Sequence, residues 1–171
     1  MTGRVRVTVL DSPKIPFLET GDPDIDSFFK RAWEEKLYCN NVTYILYLDE
    51  IPAGYASVNM KSLYVELPQG KKSYPALLLA RLGVDKRFRG KHIFEGMRGG
   101  VYLLKYIVGL AQKVGERVGC RLVILDTDPG KLEHYYRNFG FETAGTKGKK
   151  ISMYYDICET IYDTNNLYQL T

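Results

Sequence analysis

Pro75-Ala-Leu-Leu-Leu-Ala-Arg-Leu-Gly-Val-Asp85-Lys-Arg-Phe-Arg-Gly-Lys91 is the stretch on which the reading of this chain turns. Ala76 to Val84 is apolar but for Arg81 and too short to cross a membrane, so it reads as a strand buried on both faces. The run ends in a turn rich in arginine, lysine and glycine, and helical periodicity follows. Strand, basic glycine turn and helix together aim free backbone N–H groups and positive charge at phosphate. Neither GxxxxGKS nor GxxxxGKT occurs, which argues against a nucleotide triphosphatase loop.

Outward from that stretch, Arg4 to Leu10 alternates as a first strand, and Gly21-Asp22-Pro23 opens a helix. Asp22 suits the cap, Pro23 the first helical position, and Asp24 and Asp26 the positive helix end. Ile25, Phe28, Phe29, Ala32, Trp33 and Leu37 then fall on one helical face and read as core. Thr43–Leu48 and Gly54–Met60 read as an antiparallel hairpin, and 61–74 as an irregular excursion punctuated by Pro68 and Gly70. Val101 to Val118 is helical by spacing, Arg121 to Asp126 is a buried strand, and Pro129 starts a helix reaching Asn138 that Gly140 caps. Ile151 to Ile157 supplies a last strand. Strands first, then strand–helix–strand–helix, predict a mixed-sheet α/β or α+β domain.

Composition narrows the classes. The 171 residues, 45% hydrophobic and 26% charged, suit one domain, 1–171, with 158–171 as a C-terminal tail. With no apolar segment of about 18 residues and no signal-peptide core after Met1, a cytoplasmic protein without a membrane span is expected. Cys39, Cys120 and Cys158 form no CxxC pair, and His92 and His134 are the only histidines, so neither a zinc site nor a multi-histidine centre is expected. Cys120 opens a buried strand and reads as core. The net charge of +4 is clustered, at Arg81, Lys86, Arg87, Arg89 and Lys91 and at Lys147, Lys149 and Lys150, a distribution that suits a polyanion or a solvated face.

With these pieces in order, the chain resembles the GNAT acyl-CoA N-acyltransferases over nearly its whole length. Phe17 and Gly21-Asp-Pro-Asp-Ile-Asp-Ser-Phe-Phe29 resemble the opening of one subgroup, the toxin-like GNATs that acetylate the amino acid on charged tRNA. Leu79-Ala-Arg-Leu-Gly-Val-Asp85 is similar to that subgroup's strand, and Tyr136-Arg-Asn-Phe-Gly-Phe141 to the family's closing motif. The resemblance implies a mostly antiparallel twisted sheet, splayed at the strand that holds CoA and flanked by helices. It assigns cofactor contact to Leu82, Gly83 and Val84, whose backbone would bond the pantetheine arm. Arg87, Arg89, Gly90, Lys91 and His92 would surround the pyrophosphate. It assigns Tyr136 the proton given to the departing CoA sulfur.

The implied donor is acetyl-CoA, without a metal, and the implied partners are tRNA, an antitoxin and a second copy in a homodimer. Tyr154, Tyr155, Ile161, Tyr162, Leu167 and Tyr168 serve equally as dimer interface or as core. The turn departs from the family pattern: His92 and Phe94 stand where glycines are expected, and Gly96, Gly99 and Gly100 follow. Three helical glycines would cost about 1 kcal/mol each against alanine, which favours a loop insertion with the helix starting near Gly100 over a helix from His92. No general base stands out among Asp126, Glu133 and His134, which suits an α-amine acceptor, already substantially neutral near pH 7. A protein or small-molecule amine is the alternative acceptor, and a catalytically weak CoA- or partner-binding module the alternative class.

Overall fold

The structure, a computed structural model, describes residues 3–158. Its elements are β1 (Val5–Val9), α1 (Pro23–Lys30), α2 (Ala32–Leu37), β2 (Val42–Leu48), β3 (Ile51–Leu67), β4 (Gly70–Val84), β5 (His92–Phe94), β6 (Met97–Arg98), α3 (Gly99–Val118), β7 (Leu122–Thr127), α4 (Lys131–Phe139), β8 (Glu142–Lys147) and β9 (Lys150–Asp156). The main sheet runs β1-β2-β3-β4-β7-β9-β8, antiparallel at β1/β2, β2/β3, β7/β9 and β8/β9 and parallel at β4/β7. This is the mixed α/β architecture expected. The chain divides into two compact units, one of residues up to Asn59 with Leu79–Ile107, the other of Met60–Leu78 with residues from Val108 on.

In the first unit both faces of β2 are covered. Ile45 joins Phe28, Phe29, Ala32 and Tyr55 in one core cluster, while its neighbour Leu46 is fully buried on the other face, near Gly99 at the start of α3. Alternation along a strand makes this two-sided burial possible. The helix opening is as read: the Asp22 carboxylate accepts from Asp24 N at 2.9 Å and Ile25 N at 3.3 Å, with Pro23 next. The apolar stripe is not one helix, however. Arg31 (φ −100°, ψ 1°) ends α1 and starts α2, and Leu37 in the second helix is 62% exposed.

The excursion expected over 61–74 is instead a long hairpin, because β3 runs on to Leu67 and β4 starts at Gly70, whose φ of +124° suits glycine. Leu63, Val65 and Leu67 alternate inward with Tyr74 and Ala76 in the core of the second unit. Three exposed lysines and Glu66 on the same stretch hid that alternation in the sequence. An edge strand, β8, was also missed, being polar and mostly exposed. The tail of 159–171, with Ile161, Tyr162, Leu167 and Tyr168, lies outside the described residues. Tyr154 and Tyr155 pack within their unit: Tyr154 is buried with its hydroxyl 2.7 Å from Glu142, and the Tyr155 ring packs at a tilt against Phe139 and Phe141.

β3 and β4 meet through two glycines in the first unit. A Cβ on Gly83 would lie 2.7 Å from Ile25 Cγ2 and 2.8 Å from Thr20 Cγ2, and one on Gly54 would lie 2.8 Å from the Gly83 carbonyl oxygen. Gly83→Ala is therefore expected to destabilise the protein by about 1–3 kcal/mol through overpacking. Gly109→Ala, in α3 where a Cβ meets nothing within 4 Å, is expected to be neutral or to stabilise by up to about 1 kcal/mol. Urea unfolding of the two variants checks the contrast.

Candidate active site

β4 delivers its last residues to a turn organised by one carboxylate. Asp85 is 1% exposed. Its Oδ2 accepts from Glu19 N (3.0 Å) and Arg87 Nη2 (3.1 Å), and its Oδ1 from Arg87 N (2.9 Å) and Arg87 Nε (2.7 Å). Its backbone N–H bonds Ala53 O at 2.8 Å, and its carbonyl accepts from Phe88 N (2.9 Å) and Arg89 N (3.1 Å). Burial alone would raise the Asp85 pKa; the hydrogen bonds from the Arg87 side chain and from the Glu19 and Arg87 N–H groups outweigh it and hold the acid below the usual carboxylate range.

The same turn is sewn to the loop before α1. Lys86 N bonds Glu19 O at 2.9 Å, the Lys86 ammonium sits 3.1 Å from Glu19 Oε1, and Arg89 Nη2 donates to the Thr20 carbonyl. On the far side of that loop Asp26 accepts from Thr20 N (2.8 Å), Thr20 Oγ1 (2.7 Å) and Gly21 N (3.1 Å). Burial opposes ionisation of Asp26 as well, and these hydrogen bonds, with Lys30, pull its pKa down. Beside the loop a cleft of about 590 Å³ is lined by Ile15, Phe17, Leu18, Phe29 and Lys30 among others, with Phe17 73% exposed.

Much of the first basic cluster is thus engaged within the protein. Arg81 Nε lies 2.8 Å from Asp24 Oδ2, and Arg87 forms a forked pair with Asp85. Lys91 and His92 are exposed and have no ion pair among the described residues. Gly90 (φ +75°) turns the chain there. Leu82, Gly83 and Val84 end β4 as expected, with Gly83 held by the close packing described above. The open question of residues 92–98 resolves as the insertion. β5 and β6 form a small hairpin whose turn residues Glu95 (φ +46°) and Gly96 (φ +72°) have the signs of a type I′ turn, and α3 starts at Gly99. The first turn of α3 carries no acidic residue, which leaves its positive end uncompensated from within the helix. These groups fit a bound pyrophosphate.

Tyr136 belongs to the second unit, on α4. It is 9% exposed, edge-on to Tyr135 (centroids 5.3 Å) and Phe141 (5.7 Å). Burial, with a smaller contribution from Tyr135, pushes its pKa up, so the phenol keeps its proton across the neutral range. Among the described residues its hydroxyl makes no hydrogen bond. Gly140 (φ +128°) ends the helix, its N–H bonding Tyr136 O and Arg137 O. Two of the three base candidates are occupied: Glu133 is tied to Arg137 at 2.7 Å, which lowers its pKa, and Asp126 accepts from Ser152 Oγ at 2.6 Å with Lys147 at 3.7 Å. His134 is exposed on the same helix. Lys150 pairs with Asp128 at 2.7 Å, so the second basic cluster is also partly neutralised. Cys120 is buried as expected, and burial raises its thiol pKa.

Among the described residues no three metal-ligating side chains gather, and no helix is long and apolar enough to cross a membrane. The sequence reading missed Asp85 as the organiser of the turn. A charged residue after a strand reads as surface, and the only signal was its position two before an arginine.

The strand order, the basic turn between β4 and α3 and the aromatic α4 terminus define a GNAT fold. No protein-family model matches the chain, and no curated protein matches it. Solved structures do. AtaT complexed with acetyl-methionyl-tRNAfMet is similar at 14% identity and a TM-score of 0.76, over 92% of this chain and 98% of that one. A tyrosine-to-phenylalanine mutant of the AtaT toxin, bound to the C-terminus of the antitoxin AtaR and acetyl-CoA, is similar at 15% identity and 0.72, over 93% and 96%. The KacTA–DNA complex follows at 18% identity and 0.71, over 94% and 99%. The chain has the fold of these proteins.

Asp85→Asn is expected to cost about 2 kcal/mol, below the full penalty for breaking a buried pair because Arg87 is half exposed. Asp85 and Asp26 both have depressed pKa values in the folded state. The stability they contribute is full above the unfolded-state pKa of about 4 and is lost as pH falls through the folded values. Chemical unfolding from pH 6 downward checks both points: Asp85→Asn should show a shallower loss of stability below about pH 4 than the parent protein.

Proposed function

We propose that the chain is an acetyl-CoA-dependent N-acetyltransferase that moves the acetyl group directly to the α-amine of an aminoacyl-tRNA. The observation that carries this reading is the match over nearly its whole length to AtaT, solved with acetyl-methionyl-tRNAfMet and with acetyl-CoA. The chemistry of the residues supports it. The end of β4 and the start of α3 would hold the donor, which supplies an activated thioester. The neutral amine attacks the thioester carbonyl, the C–S bond breaks, and the sulfur leaves as a thiol once it has taken a proton. Tyr136, protonated and free of a hydrogen-bond partner among the described residues, is the proposed donor of that proton. The proton released by the new amide nitrogen goes to water, since Glu133 and Asp126 are already engaged, and Tyr136 recovers its proton from water.

AtaT has been solved with its antitoxin AtaR, and an antitoxin partner is part of the same reading. A homodimer remains the expectation drawn from the resemblance. The altered glycine turn favours a second reading, a GNAT-fold module that binds CoA or a partner with little turnover.

Tyr136→Phe is expected to keep acetyl-CoA affinity and to lower thiol release with bulk aminoacyl-tRNA by about tenfold or more. Unchanged turnover would remove Tyr136 from the mechanism. With tRNA as acceptor, the parent rate should fall steeply between about 50 and 200 mM salt, by counterion release. A rate flat across that range would point to a small-amine acceptor.

A further inference from the structure

The β5–β6 hairpin is what this chain adds to the turn, and its side chains are sorted by face. Ile93 is the anchor: it is 9% exposed, with Cδ1 3.8 Å from the Cβ position of Gly99. Its neighbours His92 and Phe94 are exposed, and Arg98 stands opposite His92 in the ladder. Phe94 is 41% exposed yet held in place, its ring edge-on to Tyr102 with centroids 5.9 Å apart and planes at 88°. Among the described residues Lys91, His92 and Arg98 have no ion pair, whereas Arg81, Lys86 and Arg87 each do. The hairpin therefore presents a fixed aromatic ring and unspent positive charge, joined directly to the N-terminus of α3.

We propose that this hairpin takes the 3′-phosphoadenosine end of the acyl donor, Phe94 offering its ring to the adenine and Arg98 meeting the 3′-phosphate. The inference rests on the reading of the chain as an acetyl-CoA enzyme. Arg98 immediately precedes Gly99, the first residue of α3. A pyrophosphate met by the first amides of α3 thus leaves its ribose within reach of the Arg98 side chain. Aromatic faces bind bases by stacking, and a guanidinium forks onto phosphate oxygens. A single held ring suits one base; a nucleic-acid strand calls for a row of them. The insertion that replaces the family's glycines then restores, at the nucleotide end, contacts that the turn itself gives up when Arg87 is spent on Asp85.

The test is calorimetric titration of the full-length protein with CoA and with 3′-dephospho-CoA. The parent protein should bind CoA about tenfold more tightly than the dephospho form, the scale of one charge-assisted contact. Arg98→Ala should abolish that preference by weakening CoA alone, Arg98→Lys should restore part of it, and Phe94→Ala should weaken both ligands. Equal affinity of the parent for the two ligands, or a preference that survives Arg98→Ala, overturns the hairpin assignment and leaves the donor reading standing. Failure of the parent to bind either ligand defeats the donor reading itself. Loss of charged-tRNA affinity in Arg98→Ala, with the CoA preference intact, assigns the hairpin to RNA and overturns the proposal equally.

Discussion

The carboxylate of Asp85 is almost entirely out of water and stays ionised, and the first unit of the protein is built around that constraint. A buried anion must be compensated fully, because an unpaired one would cost several kcal/mol. Asp85 obtains its compensation from two directions: the Arg87 side chain and N–H from its own turn, and the Glu19 N–H from the loop before α1. One group thereby fixes both segments. The turn after β4 cannot shift without breaking contacts to the loop, and the loop cannot lift without uncovering the charge. Lys86, Arg89 and, from the other side, Asp26 repeat the stitch with weaker thread.

This economy decides which charges are left for a ligand. Arg81, Lys86 and Arg87 look like a phosphate site in the sequence, yet each has an acidic partner in the structure. Among the described residues of this region Arg89 is held by the Thr20 carbonyl, and the positive groups with neither an ion pair nor such a bond are Lys91 and, in the hairpin, Arg98. On α4 burial works differently. Tyr136 carries no charge to compensate, so desolvation simply keeps its phenol protonated across the neutral range.

Elements whose signal is local were readable from sequence. Asp22 and Pro23 announced α1, the run Ala76–Val84 announced the end of β4, and glycine cost alone placed the start of α3 within a residue or so of Gly99. Elements whose signal depends on partners were not. The outer half of the β3–β4 hairpin looked like loop because its exposed face carries the charges, and only the packing of Leu63, Val65 and Leu67 against Tyr74 and Ala76 shows it to be strand. The break at Arg31 left no mark in a stripe that suits one long helix. For the candidate site, the family resemblance singled out Tyr136 and the basic turn as expectations. The role of Asp85 needed the third dimension, since one of its donors lies 66 positions away.

Acetylation of the amino acid carried by tRNA is the activity we propose for the chain. Bulk aminoacyl-tRNA incubated with the protein and isotopically labelled acetyl-CoA, digested to its terminal nucleosides and read by mass spectrometry, tests it directly. An active enzyme yields labelled N-acetyl-aminoacyl-adenosine that depends on the protein. Unmodified aminoacyl-adenosine throughout, with acetyl-CoA bound but intact, would contradict the proposal.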